Sequence, residues 1–156
     1  MISNVPFQHL LGNWSGTKQV WPFPGADEIR SDSTAHVSPI AQGQFIALSY
    51  TWEVEGQPQD GMIVFPSQSG ETTTKSVWLD SWHTKNDMMH CEAALEKGIV
   101  SLKGSYPAPE GPDWGWRIEI DVDPAPSLAI HMFNITPEGQ EALAVLIQYE
   151  RRVDAP

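Results

Sequence analysis

Asp80 has a tryptophan two residues away on either side, in Trp78-Leu79-Asp80-Ser81-Trp82. At strand spacing all three side chains share one face. A carboxylate on an aromatic wall can accept hydrogen bonds from a bound molecule, and desolvation there raises its pKa. The competing reading is structural: the same carboxylate can bond the backbone of a neighbouring strand or pair with an arginine. A histidine within reach would equip it for general acid–base work on a small substrate.

The histidines are His9, His36, His83, His90 and His131. If Thr84–Asp87 is a four-residue turn, Trp82 faces Met89, Asp80 faces Cys91 and Trp78 faces Ala93. Trp78, Asp80, Trp82, Met89 and Cys91 then make one inward wall. His83 and His90 fall on the opposite face, about 7–8 Å apart between α-carbons, within reach of a shared metal with Asp87 as a third ligand. That spacing matches no specific metal motif, and both read as surface residues; no metal is expected. His9 and His36 read as isolated and solvated. His131 alternates with Leu128, Ile130 and Met132, so it points outward. There is no G-x-S-x-G, no H-E-x-x-H and no P-loop. Cys91 reads as a buried, inert thiol.

The elements that must position these groups are strands. Gly, Pro, Asn and Asp recur at short intervals and cut the chain into pieces of about eight to eleven residues. Ten strands are expected: Asn13–Trp21, Ile29–Ser38, Gln44–Val54, Gln59–Ser67, Thr72–His83, Met88–Ala94, Gly98–Tyr106, Trp114–Asp123, Ser127–Ile135 and Glu141–Val153. Alternation is clearest in the eighth, where Trp114, Trp116, Ile118, Ile120 and Val122 face one way. Ile46, Leu48, Tyr50, Trp52 and Val54 make a similar face on the third. Glu92–Lys97 has helical propensity but reads as a strand end and turn. The one helix signal is Pro6–Leu11, with Asn4 as a cap and Gly12 as the stop. Sequential strands with short connections predict an all-β fold, an antiparallel up-and-down barrel that closes to remove its edges, with the helix over one end.

With 156 residues the chain suits one domain, 1–156, and one cysteine excludes an internal disulfide. A net charge of −11 argues against nucleic acid and anionic membranes as partners. No basic start precedes a long apolar run, and no stretch approaches the ~20 apolar residues of a membrane helix. The cytoplasm is the expected compartment.

Gly12-Asn13-Trp14 resembles the G-x-W opening of lipocalin-like and fatty-acid-binding-like barrels. In those families the Trp closes one barrel end and often stacks on an Arg from a late strand, a place for Arg151 or Arg152. Trp78-Leu79-Asp80-Ser81-Trp82, Met89-His90 and Gln148-Tyr149-Glu150-Arg151 together resemble a bacterial lipocalin-like family known as a domain of unknown function, over about residues 7–152. That resemblance implies a fold and no established activity. A more distant likeness is nitrobindin, a ten-stranded barrel holding haem through a His near its C-terminal end. This chain has no His after His131, which departs from that pattern.

The expected function is a small-molecule-binding barrel. It would hold an apolar or amphipathic molecule in a cavity lined by Tyr50, Trp52, Trp78, Asp80, Trp82, Met89, Trp116 and Met132, with Tyr50, Asp80 and Arg117 setting orientation. The competing structural reading is that large side chains pack the barrel solid. Two further functions fit the residues less well: an enzyme using Asp80 with a histidine, and a haem barrel using His131. No cofactor is called for, and a homodimer is compatible with the sequence.

Overall fold

The computed structural model describes residues 7–68, 74–96, 98–121 and 127–152. Ten strands follow one another: β1 Gly12–Val20, β2 Ile29–Ile40, β3 Phe45–Val54, β4 Gln57–Pro66, β5 Thr74–Asp80, β6 Met89–Glu96, β7 Ile99–Tyr106, β8 Trp114–Asp121, β9 Ser127–Ile135 and β10 Glu141–Arg151. Each pairs antiparallel with the next, and β1 pairs with β10 to close the barrel. The expected meander is therefore the observed topology. The expected ends Thr72, Val122, Asp123 and Val153 lie outside the described residues. No helix among the described residues is long and apolar enough to cross a membrane.

Alternation explains the inward faces. On β8, Trp116, Ile118 and Ile120 are buried, and on β3, Ile46, Leu48, Tyr50 and Trp52 are. The β3–β4 connection is the two-residue turn Glu55-Gly56, both with positive φ (50° and 77°), the conformation that matches strand twist in a hairpin. Gly61 matters through packing: a Cβ there would overlap the Tyr50 hydroxyl, so its absence lets that ring lie across the barrel.

One end is closed by the chain's opening residues. The expected helix is a short 3₁₀ turn, Gln8–Leu10, whose cap position is Phe7 and carries no side-chain cap bond; Asn4 lies outside the described residues. Phe7 packs edge-on against Phe65 with ring centroids 5.3 Å apart. The Trp14 Nε1–H donates to the Leu10 carbonyl at 2.8 Å. The Arg151 guanidinium lies 4.4 Å over the Trp14 ring and donates to the carbonyls of Leu11 and His9. Arg151 thus takes the place expected of a late-strand arginine.

Candidate functional site

Asp80 lies toward the opposite end of the barrel, at the end of β5. Its carboxylate is fully buried and accepts hydrogen bonds on both oxygens. Oδ2 accepts from the Tyr50 hydroxyl at 2.6 Å and from Trp52 Nε1 at 3.2 Å, and Lys18 Nζ stands 3.7 Å away. Oδ1 accepts the backbone N–H groups of Trp82 at 2.8 Å and His83 at 2.9 Å. This is the turn that aspartate side chains favour, bonding their own backbone two residues on. Thr84 adds to it: its Oγ1 accepts the Asp80 N–H at 2.9 Å, and its own N–H donates to the Asp80 carbonyl at 2.9 Å.

That turn ends β5 at Asp80, three residues before the expected His83. The hairpin register is Trp78↔Met89, Val77↔His90 and Ser76↔Cys91, so the connection is the eight-residue loop 81–88 in place of the expected four-residue turn. The register moves by an even number of places, so inward faces keep their parity. Trp78, Asp80, Met89 and Cys91 are buried as expected, and His90 is exposed. His83 departs from expectation. It is on no strand, and its ring packs among four tryptophans: Trp52 (5.6 Å between centroids), Trp78 (5.4 Å), Trp82 (4.7 Å) and Trp116 (5.8 Å). His83 and His90 therefore do not converge, and among the described residues no metal-ligating cluster forms.

Lys18 is the residue that sequence reasoning missed. It is fully buried on β1, with Nζ 3.6 Å over the Trp52 ring and 4.8 Å from the Tyr50 ring centre. Its parity with Trp14 and Val20 was the available signal. Burial pulls its pKa down from 10.5 to about 7, and Asp80 partly opposes that. Burial alone would raise the Asp80 pKa, as expected. The charges of Lys18 and His83 and the bonds from Tyr50 and the His83 backbone outweigh it, and the carboxyl titrates below its ordinary value. The expected raised pKa is thus corrected. Burial, with the Lys18 charge, lowers His83 to about 4. Burial raises Tyr50 well above 10.

A polar chain runs through this core. Trp78 Nε1–H donates to the Tyr50 oxygen at 3.0 Å, and Tyr50 donates onward to Asp80. Nearby, Tyr149 and Ser33 share a hydroxyl bond of 2.6 Å. With Trp52, Lys18 and Phe65 also fully buried, the middle of the barrel is filled.

Above this filled layer a cavity of about 330 Å³ opens at the mouth. Its walls are Trp78, Trp82, His83, Met89, Tyr106 and Trp116, with loop residues Trp21–Pro24 across from loop 81–88. Trp78 and Trp116 stack nearly parallel, 5.3 Å apart at 5°. An extra residue in β10, at Ala144, breaks the register between Leu143 and Val145. Ala142 and Ala144 line the cavity, and small side chains there leave it room. Of the eight expected lining residues, Trp78, Trp82, Met89 and Trp116 border the cavity. Tyr50, Trp52 and Asp80 lie in the layer beneath, and Met132 is wholly buried in the wall. Arg117 pairs with Glu119 and Glu141 and is partly exposed, away from the cavity. His131 stacks on Phe133, opposite Glu119 and Leu146, with the outward parity expected of it. His36 is exposed and bonds Asn13 Oδ1 at 2.8 Å. Burial raises the Cys91 thiol to about 11, in keeping with an inert cysteine.

Comparison with known proteins places the chain in a family. The model described as "Protein of unknown function (DUF1579)" matches residues 6–151, and the chain belongs to that family. No curated protein matches. Among solved structures, the chain is similar to the crystal structure of Rv2717c from M. tuberculosis, at 12% identity over 94% of each chain with a TM-score of 0.59. At that identity the likeness concerns the fold.

Proposed function

We propose that this member of the DUF1579 family binds a small, flat, largely apolar molecule in the mouth of its barrel. One observation carries the reading: a 330 Å³ cavity walled by Trp78, Trp82, Trp116 and His83, at the small end of the range that ligand pockets occupy. Apolar burial against these rings supplies the affinity. Met88 and Met89 give the walls adaptable shape. Asp80 positions the site from below: it pins the loop that carries Trp82 and His83 and touches no ligand itself. This favours binding over acid–base catalysis by Asp80, whose carboxylate is enclosed and already engaged on both oxygens. The closed barrel and the Trp14–Arg151 stack support the lipocalin-like resemblance.

Two experiments test the reading. Native mass spectrometry of protein purified gently from its own cells is expected to show a mass lost on denaturation. Ethylbenzene, titrated into ligand-free protein, is expected to bind saturably and to shift ring signals of Trp78, Trp82 and Trp116. Ala144→Phe, which fills the cavity, is expected to abolish that binding. Absence of both a carried mass and saturable ethylbenzene binding overturns the reading.

A further inference from the structure

Among the described residues, the lining of the mouth cavity holds one carboxylate, Asp87, and no lysine or arginine. Asp87 is exposed, near the end of loop 81–88. Its Oδ1 accepts the N–H of Met88 at 2.8 Å, and its Oδ2 has no partner among the described residues. The charge around it is one-sided. In a closed up-and-down barrel alternate connections fall at alternate ends, so the β1–β2, β3–β4, β5–β6, β7–β8 and β9–β10 connections all meet at the mouth. They carry Asp27, Glu28, Glu55, Asp87, Glu110, Asp113 and Glu138 against one basic side chain, Lys85, which lies outside the lining. The wall below is aromatic, with Trp21, Trp78, Trp82, Tyr106 and Trp116 on the cavity.

We infer that the mouth takes an organic cation: a flat apolar body that lies against the tryptophans, and a positive group that meets the Asp87 carboxylate at the rim. This rests on the binding reading above and names its ligand class. Aromatic faces attract ammonium groups, and one layer down the chain already holds its own that way, Lys18 Nζ standing 3.6 Å over the Trp52 ring. A cleft lined by one sign of charge concentrates ligands of the other sign, and low-dielectric walls strengthen the field. Nothing positive in the wall opposes it: burial keeps His83 uncharged at neutral pH. In the layer beneath, Asp80 titrates below its ordinary value while Lys18, at about 7, is half neutral, so that layer adds negative charge. An anion would meet a carboxylate on the rim and no cation among the described residues of the lining. The apolar rim of Phe23, Met88 and Leu143 suits the hydrocarbon part of such a molecule.

The test titrates phenyltrimethylammonium, tert-butylbenzene and benzenesulfonate into the full chain. The first two share a shape and differ in charge; the third carries the opposite charge on a similar body. The cation is expected to bind saturably and about tenfold more tightly than the anion at low salt. Asp87→Asn keeps an oxygen for the Met88 N–H and removes the charge. It is expected to weaken the cation about two- to fivefold, as for an exposed ion pair, and to leave tert-butylbenzene unchanged. Raising salt from about 0.01 M to about 0.15 M shortens the screening length from about 30 Å to about 8 Å and is expected to weaken the cation alone. The salt response and the comparison with the anion, both read in the wild type, decide the matter if the variant fails to fold. Three results overturn the inference while leaving binding intact: benzenesulfonate binding as tightly as the cation, cation affinity indifferent to both salt and Asp87→Asn, or saturable binding of tert-butylbenzene with none of the cation. Saturable binding of none of the three removes the binding reading itself.

Discussion

Asp80→Asn should cost stability in a pH-dependent way, and the dependence identifies its partner. Asparagine keeps the volume but puts an amide donor where one carboxylate oxygen stood, among Tyr50, Trp52 and Lys18. At pH 7 the loss is mainly that of hydrogen bonds to a charged acceptor, about 1.5–3 kcal/mol. Lys18 adds little there, because its pKa in the folded protein is about 7 and half of it is already neutral. Below pH 7 the wild-type lysine charges against Asp80, while in Asp80→Asn it loses its counter-ion and stays neutral at a penalty. That penalty grows by about 1.4 kcal/mol per pH unit, or about 2 kcal/mol between pH 7 and pH 5.5. The window stays above the sequence pI of about 4.6, where solubility falls. Urea unfolding at both pH values, in the wild type, Asp80→Asn, Lys18→Met and the double variant, separates the contributions. The expected result is a cost of Asp80→Asn that rises on acidification with Lys18 present and is flat with Met at that position. A flat cost in both backgrounds, or a rise that persists with Met, refutes the assignment of Lys18 as the partner.

Lys18 titrates at about 7 folded against 10.5 unfolded, so the unfolded chain holds the extra proton between those values and wild-type stability rises as pH increases from 7 to 9; Lys18→Met, followed by urea titration, should flatten that rise. His83 titrates at about 4 folded against 6.5 unfolded, so the same sign holds from pH 4 to 6.5, and the stability difference between wild type and His83→Phe should vary with pH only in that window. Gly61→Ala drives a methyl into the Tyr50 hydroxyl and should destabilise by about 1–3 kcal/mol in urea. Arg151→Met removes the stack on Trp14 and two carbonyl contacts at the closed end; calorimetry should find about 1 kcal/mol lost, with ethylbenzene affinity unchanged.

The barrel was legible because its signals are local and repeated. Alternation on β3 and β8 names the inward residues, and turn residues mark where each strand stops. β9 ends where the alternation says it does, at Ser127 and Ile135. The mouth was half legible for the same reason: Trp78 and Met89 sit on strands, and parity places them. His83 and Lys18 show what alternation cannot carry. Lys18 shares the parity of Trp14 and Val20, but an ammonium is costly to bury, and only the three-dimensional meeting of β1, β3 and β5 supplies the carboxylate and ring faces that offset its desolvation. His83 was extrapolated along a strand that the Asp80 side chain had already ended. A two-residue periodicity holds only while the backbone ladder continues, and one aspartate bonding its own N–H neighbours is enough to stop it. The same bonds turn Trp82 and His83 over the cavity. The residue that looked like a catalytic acid thus shapes the cavity by ending a strand: its turn brings Trp82 and His83 to a cavity that Trp78, Met89 and Trp116 line from their strands.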